Sequence, residues 1–221
     1  RGEMVPNAVN LPALGADELA AVQDYLTLAE DLGKLYYQLH REAVEKVEVI
    51  YSGKLAEMET DMITRAAMKG VLEPVLMEHV NYVNALIAAD HRGIAITESK
   101  ENGDQDLLTV KVITKKGEFV ASGRVVGRGQ VRIAEIDGYQ FDVEPTPYML
   151  VANNEDKPGM IGQIGTLLGA SKVNIATMQV SRNQKNGIAM MFLTVDSDVP
   201  ADVLKLLKNV GGITKVNMVK I

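Results

Sequence analysis

A short polar segment carries the residues best suited to bind a charged small molecule. Asp156, Pro158 and Gly159 lie between an apolar run and an amphipathic stretch, and Asn154 and Asn174 flank them. Proline fixes φ and glycine permits a tight turn, so the segment predicts a helix start whose first amides lack partners within the helix. Such amides suit a carboxylate, and an aspartate suits an ammonium group. The residues therefore predict a site for a zwitterion. The same spacing also fits an ordinary capped helix start. The spacing alone therefore does not identify a ligand.

The flanking sequence predicts the elements that hold this segment. A short apolar run at 148–153 predicts a strand before the turn. Apolar residues recur at three- and four-residue spacing over 160–168 and predict a helix. Alternating residues over 175–182 predict a half-exposed strand. The candidate site is thus expected between the end of a strand and the start of a helix.

These motifs resemble those of the ACT family, a small-molecule-sensing module of amino-acid metabolism. The resemblance covers residues 147–221. It rests on Asp156-Lys157-Pro158-Gly159, Ile161 to Gly169, Val173 to Ala176, Gly187 to Met190, and Val195-Asp196. It implies a four-stranded antiparallel sheet with two helices on one face, in the order βαββαβ.

The composition is that of an ordinary globular protein. The 221 residues allow one or two domains, and 47% of them are hydrophobic and 24% charged. A net charge of −6 argues against nucleic acid as a partner. The absence of cysteine excludes disulfides, thiolate metal sites and a cysteine nucleophile, and fits a reducing compartment. No apolar run approaches the ~18 residues of a membrane span. We therefore expect a cytoplasmic protein with no membrane partner.

Upstream of residue 147 the pattern predicts a separate α+β domain. Residues 1–15 carry Pro, Gly and Asn with little periodicity, which is typical of a linker or an extended arm. Helices are predicted over 16–41, 57–77 and 79–91, with Gly70 and Pro74 as candidate breaks in the second. Strands are predicted over 43–51, 94–98, 107–115, 119–126, 130–136 and 139–143, with Asp137-Gly138 as the firmest hairpin turn. The predicted organisation is a linker at 1–15, an α+β domain at 16–143 and an ACT domain at 147–221.

No part of the sequence predicts a catalytic centre. His40, His79 and His91 do not have the spacing of metal ligands. No Ser/His/Asp order suggests acyl transfer, and no dinucleotide-binding fingerprint is present. We therefore expect this chain to hold no catalytic residue, no metal and no cofactor.

The whole chain resembles the regulatory part of bacterial D-3-phosphoglycerate dehydrogenases. Residues 5–12 are similar to the exit from the catalytic part of that family. The segments similar to its intervening, or allosteric substrate-binding, domain are 26–33, 49–55, 63–70, 80–89, Gly93-Ile94 and Ile136-Asp137-Gly138. The resemblance implies a parent NAD-dependent oxidoreductase, with NAD bound in a catalytic region that this chain lacks. The first residue is Arg1 and not Met, so we expect a piece of a longer protein.

The resemblance also implies an effector. The family catalyses the first step of the phosphorylated serine pathway, and L-serine inhibits it by binding between ACT domains of two subunits. Carried over by position, the contacts fall on Asn154, Asp156 and Asn174, with Pro158 and Gly159 shaping the loop. Asn154 stands where relatives have His or Tyr. The implied assembly is a homodimer or homotetramer formed through the ACT and intervening domains.

A possible anion site is less well defined. From residue type alone, Arg65, Lys69, Arg128 and Arg132 could form such a site or a solvated charged face, and Arg65, Lys69 and Arg132 are the candidates that we retain. The family has an anion site at the junction of its two regulatory domains, and Arg132 occupies one of its basic positions. Positions where some relatives have arginine carry Tyr139, Glu144 and Thr194 here.

Two other functions fit parts of the pattern. An L-serine dehydratase subunit also joins a similar domain to an ACT domain, but the N-terminal segment lacks a Ser-Ser-His-Thr-like stretch. Iron content would identify that enzyme. A free-standing amino-acid-binding or dimerisation module is the third alternative, and the sequence that precedes Arg1 would decide it.

Overall fold

Alternating apolar residues along the chain build two β-sheets, each covered by helices on one face. The computed structural model describes residues 16–76, 79–183 and 187–221. The N-terminal domain contains α1 (Ala16–Leu39), β1 (Val44–Ser52), a 3-10 turn (Gly53–Glu57), α2 (Asp61–Leu72), α3 (Ala85–Asp90), β2 (Ala95–Glu101), β3 (Leu107–Thr114), β4 (Gly117–Gly127), β5 (Gln130–Ile136) and β6 (Tyr139–Val143). The C-terminal domain contains β7 (Met149–Glu155), α4 (Met160–Ala170), β8 (Ile175–Arg182), β9 (Ile188–Val195), α5 (Ala201–Lys208) and β10 (Ile213–Val219). The predicted α+β class is confirmed.

The N-terminal sheet has the strand order β2-β1-β3-β4-β5-β6. Val47, Val49 and Tyr51 alternate along β1 and are fully buried beneath the helices. The pair β1–β2 is parallel, and the other neighbours are antiparallel. A parallel pair needs a long crossover, which α2 and α3 provide. The sequence pattern predicted these strands but not this parallel pairing.

Helices α1 and α2 cross at two glycines. A Cβ on Gly70 would lie 2.1 Å from the backbone oxygen of Glu30, and one on Gly33 would lie 2.5 Å from that of Ala67. Only glycine permits this approach. The prediction that Gly70 breaks the second helix is therefore wrong, because close packing against α1 outweighs glycine's low helix propensity. The helix ends at Leu72, two residues before Pro74.

The C-terminal sheet has the order β10-β7-β9-β8, and all its pairs are antiparallel. One face packs on α4 and α5 around Leu150, Ile164 and Leu193. This arrangement is the predicted ferredoxin-like βαββαβ fold. Strand β8 is an edge strand.

The other face of the C-terminal sheet packs on the N-terminal domain, and we call these contacts the joint. Val151, Met190 and Phe192 belong to the same apolar core as α1 and β1. By residue type, Met190 and Phe192 of β9 are candidates for an apolar dimer surface, but their own chain buries them. Among the described helices, none is long and apolar enough to cross a bilayer.

Side-chain amides reinforce the joint at two backbone edges. Gln38 donates to the carbonyl oxygen of Lys220 at 2.9 Å and accepts from its N–H at 2.7 Å. Gln179 bonds both backbone groups of Asp142 at 2.7 and 2.9 Å. Each glutamine side chain thus makes the two backbone hydrogen bonds that a neighbouring strand would otherwise make with that residue.

Candidate ligand-binding site

Asn154 is a buried polar residue near the end of β7. It shares a face with Leu150 and Ala152, which pack against the helices, so its side chain lies on the helix-covered side of the sheet. Only 2% of it is exposed. Its Nδ2 donates to the carbonyl oxygen of Glu155 at 2.7 Å, whereas Oδ1 has no partner among the described residues. A buried acceptor left unpaired costs about 1–3 kcal/mol. A ligand that donates a hydrogen bond to Oδ1 would remove this cost.

Asp156 lies in the loop that follows β7. Its N–H donates to the carbonyl oxygen of Gly187 at 2.9 Å, which ties the loop to the start of β9. Its carboxylate accepts from Nη1 of Arg182 at 3.1 Å. Sequence reasoning missed Arg182, because the pair forms only when the register of β8 against β9 is known.

The start of α4 follows these residues directly, and we call Asn154, Asp156, Pro158, Gly159 and the first turn of α4 together the crevice. Gly159 is the N-cap residue with φ of 91°, a left-handed conformation that favours glycine. The first helical hydrogen bond runs from the N–H of Gln163 to the carbonyl oxygen of Gly159 at 3.0 Å. The preceding amides therefore point out of the helix end, where the helix dipole also favours an anion.

Asn174 lies at the other end of the sheet. Its Nδ2 donates to Asp196 Oδ2 at 2.7 Å. Ile175 pairs with Val195 at this end, whereas Ala189 pairs with both Arg182 and Asn154 at the crevice end. Six residues of β9 separate the two ends, which is about 20 Å at ~3.4 Å per residue. One chain therefore does not bring Asn174 to the crevice, and its role as a ligand contact stays a prediction.

The three basic residues of the candidate anion site do not lie together. On α2, Arg65 pairs with Asp61 at 2.7 Å and Lys69 pairs with Glu30 at 2.6 Å. Arg132 pairs with Glu144 at 2.8 Å.

Arg132 lies on the other face of the N-terminal sheet. Its neighbour Ile133 is paired with Gly123, which faces Leu28 of α1, so Arg132 points away from the helices. It lines a cavity of about 300 Å³ at the domain junction with Thr177 and Thr194. Within one chain the three cations thus belong to separate ion pairs, and their role in an anion site stays a prediction.

Two carboxyl groups with shifted pKa values lie on α1, outside the crevice. Burial raises the pKa of Asp31 to about 6. Burial also disfavours ionised Glu30, but hydrogen bonds from Lys34 and Lys69 outweigh it and lower the pKa of Glu30. These pKa shifts are caused by how the helices pack.

Over the described ranges, no group of three or more His, Asp or Glu is arranged to hold a metal ion.

Comparison with known proteins identifies both domains. A family model for the D-3-phosphoglycerate dehydrogenase intervening domain matches residues 21–137, and an ACT domain model matches 148–212. The D-3-phosphoglycerate dehydrogenase of Bacillus subtilis is 36% identical over 99% of this chain and 42% of its own length. The enzyme of Synechocystis is 40% identical over 97% of this chain and 40% of its own length. The enzyme of Methanocaldococcus jannaschii is 35% identical over 100% of this chain and 42% of its own length.

The chain thus spans about two fifths of the length of these relatives. The match favours the dehydrogenase over the L-serine dehydratase considered from the sequence. Residues 21–137 alone, more than half of the chain, fit the dehydrogenase-specific model. The chain therefore belongs to the D-3-phosphoglycerate dehydrogenase family and corresponds to its C-terminal regulatory part, an intervening domain followed by an ACT domain.

Proposed function

We propose that this chain binds L-serine and thereby controls an NAD-dependent D-3-phosphoglycerate dehydrogenase by feedback inhibition. The observation that carries the proposal is the buried Oδ1 of Asn154, which has no partner among the described residues. It lies in a crevice that also offers a carboxylate and the start of a helix. NAD and 3-phosphoglycerate are assigned to a catalytic region outside this chain, as the relatives' greater length suggests.

The charges of serine match the crevice. Its carboxylate would accept from the outward-pointing amides at the start of α4. Its ammonium group would donate to Asp156, and such charge-assisted bonds are the stronger ones. Its hydroxyl would donate to Asn154 Oδ1. Glycine lacks the last contact, which gives a physical basis for selectivity.

A second subunit would complete the site. The outer edge of β8 pairs with no strand among the described residues, and an open edge can pair with a copy of itself. A twofold axis midway along β8 would place Asn174 of the partner subunit beside Arg182, next to Asp156. Ile161 and Val180, which are 53% and 43% exposed, supply apolar surface near this edge. Serine would then bind the closed dimer better than an open one, and this difference is the regulatory free energy.

Calorimetry on this chain tests the proposal. We expect L-serine to bind, and Asp156→Ala to weaken binding roughly ten- to a hundredfold, because a hydrogen bond to a charged group is worth about 1.5–3 kcal/mol. Glu155→Ala is the matched control, since this neighbouring carboxylate is exposed and pairs with Lys157 at 2.7 Å. Glycine and D-serine should bind more weakly than L-serine. The proposal fails if wild type gives no serine heat, or if Glu155→Ala loses as much affinity as Asp156→Ala.

A further inference from the structure

We propose that Arg182 is a built-in competitor for the ammonium position at Asp156, so that this arginine sets the affinity of the crevice for amino acids. The inference rests on the proposed serine site. It assigns to Arg182 a regulatory role, because its guanidinium group occupies the place beside Asp156 that the ligand's ammonium group must take.

The strand register places Arg182 at the crevice. Arg182 ends β8 and is paired with Ala189, which is paired on its other side with Asn154. Met178, four residues earlier on β8, packs into the helix-covered core, so Arg182 projects to the same side of the sheet as Asn154. Ala189, the β9 residue between them, carries only a methyl side chain. Nη1 then reaches Asp156 Oδ2 at 3.1 Å.

The two partners differ in exposure. The side chain of Asp156 is 22% exposed, whereas that of Arg182 is 60% exposed. The carboxylate is therefore the more fixed member of the pair, and in a single chain the guanidinium group can move into water. Exposed ion pairs are weak, typically about 0.2–1 kcal/mol. The competition should therefore lower serine affinity by only about two- to fivefold, enough to tune the site without closing it.

The direction in which serine affinity changes on removing the charge of Arg182 distinguishes competition from direct binding. If Arg182 instead bound the ligand's carboxylate, removing its charge would weaken binding. If it competes, the same change tightens binding. Lysine at this position keeps a mobile cation and should keep most of the competition.

Serine titration calorimetry on wild type, Arg182→Gln and Arg182→Lys tests the inference. We expect Arg182→Gln to bind L-serine about two- to fivefold more tightly, and Arg182→Lys to stay within about twofold of wild type. Lys205→Gln, which removes an exposed cation from α5, controls for the change in net charge and should leave the affinity unchanged.

The outcomes separate the two proposals. If wild type binds serine and Arg182→Gln binds it equally or more weakly, the competition is refuted while the serine site stands. If Lys205→Gln tightens binding as much as Arg182→Gln, the effect is one of net charge and the inference fails. If wild type binds no serine, the site and the inference fall together. A urea midpoint for each variant shows that the fold is intact.

Discussion

Two helix surfaces of this chain carry glycines, and they differ in what covers them. At the α1–α2 crossing, a Cβ on Gly33 or Gly70 would overlap the backbone of the facing helix. On α4, a Cβ on Gly162, Gly165 or Gly169 would meet nothing within 4 Å. The first surface is closed within one chain, whereas the second faces open space. The α1–α2 crossing is thus filled within one chain, whereas the glycine positions of α4 leave room for a further body, which is compatible with the proposed dimer.

Buried polar groups show the same contrast. In the intervening domain, Thr64 bonds Tyr51 Oη at 2.6 Å and Glu98 Oε1 at 2.5 Å. In the ACT domain, Asn154 Oδ1 is buried without a partner among the described residues. Because an unpaired buried acceptor is destabilising, the crevice lowers the stability of the free chain, and a ligand that donates there restores it.

The largest expected effect is at the closed crossing. Gly70→Ala places a methyl group 2.1 Å from the backbone oxygen of Glu30, so the helices must separate. Overpacking commonly costs about 1–3 kcal/mol, and a clash with backbone should reach at least the upper end of that range. Urea unfolding measures the loss. Gly165→Ala, on the open surface of α4, is the control and should stabilise by about 0.5–1 kcal/mol through helix propensity. Equal effects of the two changes would remove the distinction between the surfaces.

A pH-dependent effect follows at Asp31. Burial raises its pKa from 3.8 to about 6 in the folded state. Between about pH 4 and 6 the folded chain holds more protons than the unfolded chain, so this group makes the free energy of unfolding fall as pH rises through that window. Above pH 6 the penalty is constant.

Asp31→Asn should therefore leave stability nearly unchanged at pH 4 and raise it by about 2 kcal/mol at pH 8, at 1.36 kcal/mol per pKa unit with a discount for partial exposure. Urea midpoints at both pH values measure it. Asp61→Asn is a control, because its carboxylate is largely exposed. A gain for Asp31→Asn that does not grow with pH would show that burial does not strain this carboxyl group.

Local signals explain what could be read from the sequence. The Asp137-Gly138 turn and the Pro158-Gly159 turn were predicted because φ above zero is a property of single residues, and Asp137, Gly138 and Gly159 have φ of 50°, 82° and 91°. The third helix, expected over 79–91, begins only at Ala85. The side chain of Asn81 accepts from the N–H groups of Val83 and Asn84 and holds a turn there instead.

Non-local contacts explain what could not be read. The parallel β1–β2 pair joins segments separated by α2 and α3, and its register is not encoded in either segment alone. The Arg182–Asp156 pair likewise depends on how β8 aligns with β9. The distance from Asn174 to the crevice also follows from sheet order. Each of these required the assembled sheet, although the residue types of the candidate site were recognisable beforehand.

A smaller effect is expected at the joint. Gln179→Ala removes both hydrogen bonds to the backbone of Asp142 but leaves the apolar core between the domains intact. Because the site is exposed, water replaces the amide and the loss should be about 1 kcal/mol. Hydrogen exchange at the Asp142 amide should accelerate. Gln140→Ala, whose amide bonds Glu135 within the same sheet, is the control and should not change that exchange rate. An unchanged rate in Gln179→Ala would mean that the glutamine does not hold this edge.

The smallest effect on stability should come from the most deeply buried polar residue of the crevice. Asn154→Leu removes the bond to Glu155, worth about 1 kcal/mol, but also removes an acceptor whose isolation costs about 1–3 kcal/mol. The two terms nearly cancel, so the free energy of unfolding should stay within about 1 kcal/mol of wild type while serine binding is lost. Thr64→Val, equally close in shape to its parent, should cost about 1–2 kcal/mol because it breaks bonds that are already satisfied. A large loss of stability in Asn154→Leu would show that this asparagine supports the fold, and the contrast between a closed domain and an open crevice would then fail at its central residue.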